Sequence, residues 1–195
     1  YHAKVLTLED ATKILTLNKD INLGPDNSKR IIPFPYANKI ILKDPGFIAV
    51  MDCPCKAATG TCEPLACCIA VGKKIADFWL DHCRKYHARR VGQQEALAII
   101  RHYRRQCHIA QAFFKVATGG STGVICNCCP CGCVPYMLNR DLGQRAYPLL
   151  RGAYLAETDP ARCAGHGACV AACPFDVRAV VDGSVGLAHT NRLDA

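Results

Sequence analysis

Residues 163–174 read CAGHGACVAACP, and the stretch FDVRAVVDGSVGLAHT follows them. The candidate metal ligands of this string are separated by two, two and three intervening residues: Cys163, His166, Cys169 and Cys173. Thiolate and imidazole are ligands for soft and borderline metals, and Gly165 and Gly167 allow the intervening chain to curve around a metal centre. The string therefore predicts a compact metal-binding module.

This string resembles one half of a bacterial dicluster ferredoxin. In that family the run C-x2-C-x2-C-x3-C-P supplies three ligands to one [4Fe-4S] cluster and the fourth to its neighbour. The resemblance implies the same roles for Cys163, His166, Cys169 and Cys173, with Pro174 at the matching position. It further implies that the DGS turn at 182–184 forms the hairpin that this family places next. It also implies that Cys173 needs partners, because the sequence stops at HTNRLDA where the family begins its second run; the cysteines of 126–133 are the candidates.

His166 stands where the family has its second cysteine. Three outcomes are open: the imidazole binds iron and raises the reduction potential, the cluster is [3Fe-4S], or a distant cysteine takes the position. We expect ligation by histidine, since histidine replaces cysteine in Rieske centres.

Two further cysteine-rich stretches lie upstream, MDCPCKAATGTCEPLACC at 51–68 and VICNCCPCGC at 124–133. Together they resemble the part that precedes the ferredoxin module in uncharacterised 4Fe-4S proteins, and the combined resemblance covers residues 45–190. The candidate ligands are Cys53, Cys55, Cys62, Cys67, Cys126, Cys128, Cys129, Cys131 and Cys133. Since a cube takes four ligands, we expect at least two [4Fe-4S] clusters, with a third left open.

The simplest allocation places one cube on Cys53, Cys55 and Cys62, completed by Cys67 or by the stretch 126–133. The other belongs to the terminal run.

Fifteen cysteines in 195 residues admit disulfides or zinc as alternatives. Disulfide frameworks belong to small secreted domains, whereas half of this chain is hydrophobic and it is long enough for a core. The crowding at 126–133 also makes separate pairings awkward. Zinc suits the spacing of Cys126 and Cys129, but five cysteines in eight residues exceed the need of one tetrahedral ion. Cys83 and Cys107 fall on predicted helical stripes and are expected to be core thiols.

The net charge of +8 is uneven. Residues 156–195 contain five acidic against three basic side chains, so the preceding residues carry about +10. Much of this charge lies in Arg84, Lys85, Arg89, Arg90, Arg101, Arg104 and Arg105. An acidic redox partner in a hetero-complex would fit this surface, although a solvated helix face explains it equally well. A nucleic-acid motif and a membrane-spanning run are both absent from the sequence, and reduced cysteines favour a cytoplasmic, anaerobic setting.

The pattern predicts an α+β fold with three parts: a cysteine-rich region of helices and short strands at 1–140, a connector at 141–152 and a ferredoxin-like half module at 153–195. A capped helix is expected at 7–17, strands at 39–43 and 46–51, and two helices between Cys62 and Cys107, the first carrying Leu65 and Ile69. Strands are also expected on both sides of TGGSTG at 118–123.

Neither a dinucleotide nor a phosphate-binding loop is recognisable, and His82, His87, His102 and His108 are expected on a solvated face. The resemblance therefore implies an electron-transfer protein or subunit rather than an enzyme. Two alternatives stay open, namely a catalytic or sensing protein with an incompletely ligated cluster, and an interaction module stapled by zinc.

Overall fold

The computed structural model of the chain describes residues 2–20, 44–63, 65–114, 122–146, 157–173, 178–181 and 183–187. Its strands are β1 (His2–Leu6), β2 (Ile48–Met51), β3 (Cys68–Val71), β4 (Arg89–Val91), β5 (Ile109–Phe114), β6 (Thr122–Cys128), β7 (Arg178–Val181) and β8 (Ser184–Leu187). Its α-helices are α1 (Leu8–Leu15), α2 (Pro54–Thr59), α3 (Lys73–His82), α4 (Gln93–Arg105), α5 (Val134–Ala146) and α6 (Ala168–Ala171). Short 3-10 turns occupy Arg84–Tyr86 and Pro160–Arg162. The predicted α+β class is confirmed.

Six strands form one antiparallel sheet in the order β1-β5-β6-β3-β2-β4. Every residue of β2 and β3 is buried, so both faces of the sheet centre are covered. Alternate residues serve the two faces: Ile48 and Val50 join a core with α1 and α4, whereas Ala49 packs with Ala76 and Trp79 of α3.

Antiparallel pairing brings the cysteine-bearing strand ends together. Met51 at the end of β2 pairs with Cys68 at the start of β3, and Cys68 pairs with Cys126 near the end of β6. Cys128 in turn pairs with Ile109 at the start of β5. These residues mark one end of the sheet, hereafter the thiol end.

The helices follow their sequence signals. The Thr7 hydroxyl accepts a hydrogen bond from the Asp10 amide at 3.1 Å, which confirms the predicted cap of α1. Helix α4 buries Ala96, Leu97, Ile100 and Tyr103 on one stripe, as its apolar spacing predicts.

Strands predicted at 46–51 and on both sides of TGGSTG are present as β2, β5 and β6, and the predicted terminal hairpin is formed by β7 and β8. The predicted strand at 39–43, the stretch 115–121 and residue Asp182 lie outside the described residues.

Two predictions about the first helix pair are wrong. Ile69 belongs to strand β3, because a short apolar run bounded by turns forms a buried strand as readily as a helix, and α3 begins only at Lys73. Cys107 is exposed and follows the end of α4 with a φ of 60°, so it is no core thiol. Cys83, by contrast, is half-buried and packs on the core around Trp79.

The predicted connector at 141–152 is partly helical. Helix α5 extends to Ala146, with a break at Gly143, where φ is 80°. Among the described residues, no helix has the length and apolar character needed to cross a membrane.

Candidate metal centre

Strands β3 and β6 place three cysteines at the thiol end. Cys126 and Cys128 are two residues apart on β6 and therefore point to the same face. Cys68 is the register partner of Cys126 on β3, and their Sγ atoms lie 3.7 Å apart.

Loops and helix ends add four more thiols. Cys53 caps the start of α2 just beyond β2, and Cys67 directly precedes β3. The Cys53 sulfur lies within hydrogen-bonding reach of Cys55, Cys67 and Cys68, and the Cys128 sulfur lies within reach of Cys126 and Cys133. We name this set the sheet-end group: Cys53, Cys55, Cys67, Cys68, Cys126, Cys128 and Cys133. Seven thiols from residues 53 to 133 thus converge on one end of the sheet.

Mutual hydrogen bonding gives two of these thiols anionic character. Thiol hydrogen bonds from Cys55, Cys67 and Cys68 hold the pKa of Cys53 far below its ordinary value. Hydrogen bonds from Cys126 and Cys133 likewise lower the pKa of Cys128 to about 5. Because the donors must keep their protons, the pKa values of Cys55, Cys126 and Cys133 are raised. The group can therefore offer thiolates, the form that binds metals.

Lys56 brings a buried positive charge to the same place. Its side chain is 2% exposed, and it is the one buried charged side chain among the described residues. Its Nζ lies 3.5 Å from Nδ1 of His108 and 5.2 Å from the centroid of the Tyr103 ring. Burial alone would lower the pKa of Lys56, but the sulfur atoms of nearby cysteines, Cys67 and Cys129 first, raise it above its ordinary value.

An ammonium in this position is costly unless anions surround it. No carboxylate lies within ion-pair distance of Lys56 in the described part of the chain, so sulfur is the anion available there. The buried ammonium of Lys56 therefore favours cysteine side chains in the thiolate form at this site.

Polar side chains hold the cysteine loops in position. The buried amide of Asn127 donates a hydrogen bond to the Cys67 carbonyl at 3.0 Å, and the Asn127 backbone N–H donates to the same oxygen. Asp52 accepts from the Ala66 amide at 2.8 Å and contacts Nδ1 of His87 at 2.7 Å. The hydroxyl of Tyr103 donates to the Leu65 carbonyl. These bonds fix the backbone on both sides of Cys67 and preorganise the thiols.

A smaller set of cysteines lies beside the first. The sulfur of Cys129 is 3.5 Å from that of Cys62 and 2.6 Å from that of Cys131. The three sulfur atoms all lie within 4.8 Å of one another, and they are the one such set among the described residues. We name Cys62, Cys129 and Cys131 the loop group. This cysteine set could bind a metal ion.

The four candidate ligands of the terminal run occupy the loop between the turn Pro160–Arg162 and helix α6. Cys169 is exposed, and Cys163 and Cys173 are half-buried. Hydrogen bonds from the backbone amides of Gly165 and Val185 lower the pKa of Cys163. A Cβ at Gly165, whose φ is 66°, would lie 2.5 Å from the Gly183 carbonyl oxygen, so only glycine lets this loop approach the hairpin.

His166 is exposed, and its Nδ1 accepts a hydrogen bond from the Ala168 amide at 3.3 Å. A metal-bound imidazole normally carries its proton on the other nitrogen. Iron ligation through Nε2 therefore requires the ring to leave this hydrogen bond.

The structure groups the predicted ligands differently from the simplest allocation. Cys53 lies within hydrogen-bonding reach of Cys55 and Cys67, whereas Cys62 lies with Cys129 and Cys131. The suggestion that Cys173 completes a cluster with 126–133 stays a prediction.

Sequence reasoning did not single out Cys68, Lys56, Asn127 or His108 for the site. The adjacent pair Cys67-Cys68 was a signal for the first, but a lysine or asparagine acquires its role only through burial. His108 was expected on a solvated face, yet it is half-buried and stacks on Tyr103 with ring centroids 5.0 Å apart.

In comparisons with known proteins, the chain matches no protein-family model, no curated protein and no solved structure.

Proposed function

We propose that this chain is an iron-sulfur protein that transfers single electrons as a subunit of a larger redox complex, with two clusters or three. The observation that carries the proposal is the convergence, at the thiol end, of seven thiols from the two separate stretches 51–68 and 124–133. Bound there, an iron-sulfur cluster would supply reversible one-electron chemistry.

The number and origin of the thiols fit a polynuclear cluster. A cube binds one cysteine at each of its four irons, and these ligands can come from separate parts of a chain. The sheet-end group offers seven thiols, which is more than the four that one cube requires. Cys53, Cys55, Cys67 and Cys128 are the residues that we expect to be joined by cluster iron first.

The charge of the site supports the same proposal. A [4Fe-4S] cube with four thiolates is an anion, and burying an anion is costly without a nearby cation. Lys56 supplies a buried ammonium whose nearest described anions are cysteine sulfurs. Tyr103 and His108 separate this charge from solvent.

The basic surface suggests where an acidic partner would approach. The turn Arg84–Tyr86 lies at the thiol end, because the Tyr86 carbonyl accepts a hydrogen bond from the amide of Asp52, the neighbour of Cys53. The last turn of α4 adds basic side chains beside buried Tyr103. The predicted basic residues are all exposed: Arg84, Lys85, Arg89, Arg90, Arg101, Arg104 and Arg105. Opposite charges would steer an acidic electron carrier to the end of the sheet that contains the thiols.

The test is anaerobic preparation of the full chain, followed by iron and acid-labile sulfide analysis and EPR of the reduced protein. We expect at least eight irons and eight sulfides per chain, for two cubes, and EPR signals that appear on reduction. A colourless protein without labile sulfide would overturn the proposal.

A further inference from the structure

We propose that the loop group, Cys62, Cys129 and Cys131, is a separate mononuclear site that holds one zinc ion. The site goes beyond the proposed clusters, because its sulfur geometry suits a single ion. The inference does not depend on what occupies the sheet-end group.

The distances favour one ion over a cube. Two thiolates bound to one tetrahedral zinc at about 2.3 Å lie about 3.8 Å apart. The observed separation of Cys62 and Cys129 is 3.5 Å, and all three sulfurs lie within 4.8 Å. The 2.6 Å between Cys129 and Cys131 would open by roughly 1 Å on binding. Cys131 is exposed and can make this adjustment.

The fold holds the two loops together through contacts other than sulfur. The Thr61 hydroxyl donates a hydrogen bond to the Cys131 carbonyl at 2.6 Å, which ties the loop after α2 to the turn after β6. A Cβ at Gly132 would lie 2.8 Å from the Cys62 sulfur and 3.0 Å from Cγ of Lys56, so a side chain there would push the loops apart. These contacts hold the three thiols close together without requiring a metal ion.

The net charge of the site favours Zn²⁺ over Cu⁺. Three thiolates with Zn²⁺ leave a net charge of −1, which the ammonium of Lys56 neutralises; with Cu⁺ the remainder is −2 and one lysine is not sufficient. The side chain of Lys56 lies against this site, because the Cβ position of Gly132 is 2.8 Å from the Cys62 sulfur and 3.0 Å from Cγ of Lys56. A dication that prefers thiolate ligands, such as Zn²⁺, therefore makes the three thiolates, the ion and the ammonium of Lys56 neutral together.

Solvent can reach this site, because Cys131 is exposed, so a water molecule can complete the tetrahedron at the fourth position. Zinc sites with three protein ligands keep such a position open.

The experiment measures zinc, copper, iron and labile sulfide in the purified, reduced full chain and in three variants. Cys62→Ser and Cys131→Ser each remove one ligand, and Cys107→Ser, an exposed cysteine in neither group, is the matched control. We expect one zinc per chain in the unaltered protein and in Cys107→Ser. At least tenfold less zinc is expected in the two ligand variants, with iron and sulfide unchanged.

Zinc X-ray absorption of the unaltered protein should show three sulfur neighbours at about 2.3 Å. Circular dichroism verifies that each variant is folded, and Cys131→Ser guards against a folding defect because its side chain is exposed. The proposal is overturned by unaltered protein without zinc, by copper in its place, by zinc that persists in both ligand variants, or by loss of iron and sulfide together with these thiols. Protein that contains zinc but no labile sulfide would overturn the iron-sulfur proposal alone.

Discussion

The sheet-end group and the terminal run 163–173 reach their arrangement in opposite ways. In the terminal run, the candidate ligands are close in sequence and lie in one loop, with Cys169 exposed. In the sheet-end group, strand pairing collects thiols from residues 53 to 133, and Cys67, Cys68, Cys128 and Cys133 are buried. A local loop can be altered without disturbing the sheet, whereas altering a strand-delivered thiol also disturbs the core. The following predictions test this difference.

The largest effect is expected from Cys53→Ser, with Cys169→Ser as its counterpart. Cys53 contacts three other thiols of the sheet-end group, so its loss should remove at least half of the iron and sulfide. It should also lower the urea midpoint, which the fluorescence of Trp79 reports because this buried residue is the only tryptophan and packs on the sheet. Cys169→Ser should lose only the iron of the terminal run, with the Trp79 transition unchanged. Equal shifts of that transition in both variants would contradict the comparison.

A smaller but local effect is expected from Gly165→Ala. The new Cβ would meet the Gly183 carbonyl oxygen, and the backbone would have to keep a φ of 66°, so we expect a cost of about 1–3 kcal/mol to the terminal loop and hairpin. Limited proteolysis should then cut the terminal region at least several times faster while the Trp79 transition stays the same. Gly46→Ala is the control, since nothing lies within 4 Å of its Cβ position. Unchanged proteolysis of Gly165→Ala would show that the close approach is not required.

The stability of metal-free, reduced protein should fall as the pH rises above 9. Thiols with raised pKa values, such as Cys55, Cys126 and Cys133, stay protonated in the folded chain but ionise near their ordinary pKa when unfolded. Each such thiol then costs about 1.4 kcal/mol per pH unit. On the acidic side the sign reverses for Cys128, whose lowered pKa stabilises the folded chain fully above 9 and progressively less as the pH falls to about 5.

Urea denaturation of metal-free protein followed through Trp79 measures this dependence. A midpoint that rises steadily from pH 8 to pH 10 would show that the thiols are not buried together. In the terminal run the pKa of Cys163 is lowered, so this thiol does not add to the loss of stability at high pH.

The same contrast explains what could be predicted from the sequence. The cap at Thr7 and the stripe of α4 follow local rules, and neighbouring residues predict them. The candidate ligands of the terminal run and the terminal hairpin follow instead from the resemblance that the string at 163–174 carries, of which the hairpin is present. Ile69 was placed in a helix because four apolar residues between turns have no decisive period.

The composition of the thiol groups could not be predicted, because strand order determines it. Pairing of β3 with β6 places Cys68 beside Cys126, 58 residues away, and no local pattern specifies that neighbour. The separation of Cys62 from Cys53 depends on the turn at Gly60, whose φ of 63° directs the chain towards Cys131. Lys56 lies in a short helix, where lysine is ordinarily exposed, so its burial at the thiol end could not be predicted from the sequence.

Replacing His166 with cysteine tests whether the histidine is a ligand in the terminal run. Replacing imidazole with thiolate adds negative charge to the cluster, so we expect the reduction potential of the terminal cluster to fall by roughly 100 mV while four irons are retained. Redox titration followed by EPR gives the value. An unchanged potential would show that His166 is not a ligand and keeps its hydrogen bond to Ala168.

Lys56→Met tests the sheet-end side with a smaller effect. Methionine preserves the apolar length of the buried stem but removes its charge. Reduction adds an electron to an already anionic cluster, so a nearby cation stabilises the reduced form more than the oxidised form. One charge about 10 Å from the added electron, at an effective dielectric constant of about 20, contributes about 1.7 kcal/mol, so the potential should fall by tens of millivolts.

The matched control is Lys74→Met, which removes an exposed lysine on α3 and should leave the potential unchanged because solvent screens its charge. The signal of the terminal run should not move in either variant. A shift in both signals would mean that the variant alters the fold as a whole, and no shift in the sheet-end signal would mean that the ammonium of Lys56 does not act on a cluster there. A selective shift would assign the buried charge to the thiols that strand pairing assembles, since Lys56 reaches them only through the fold.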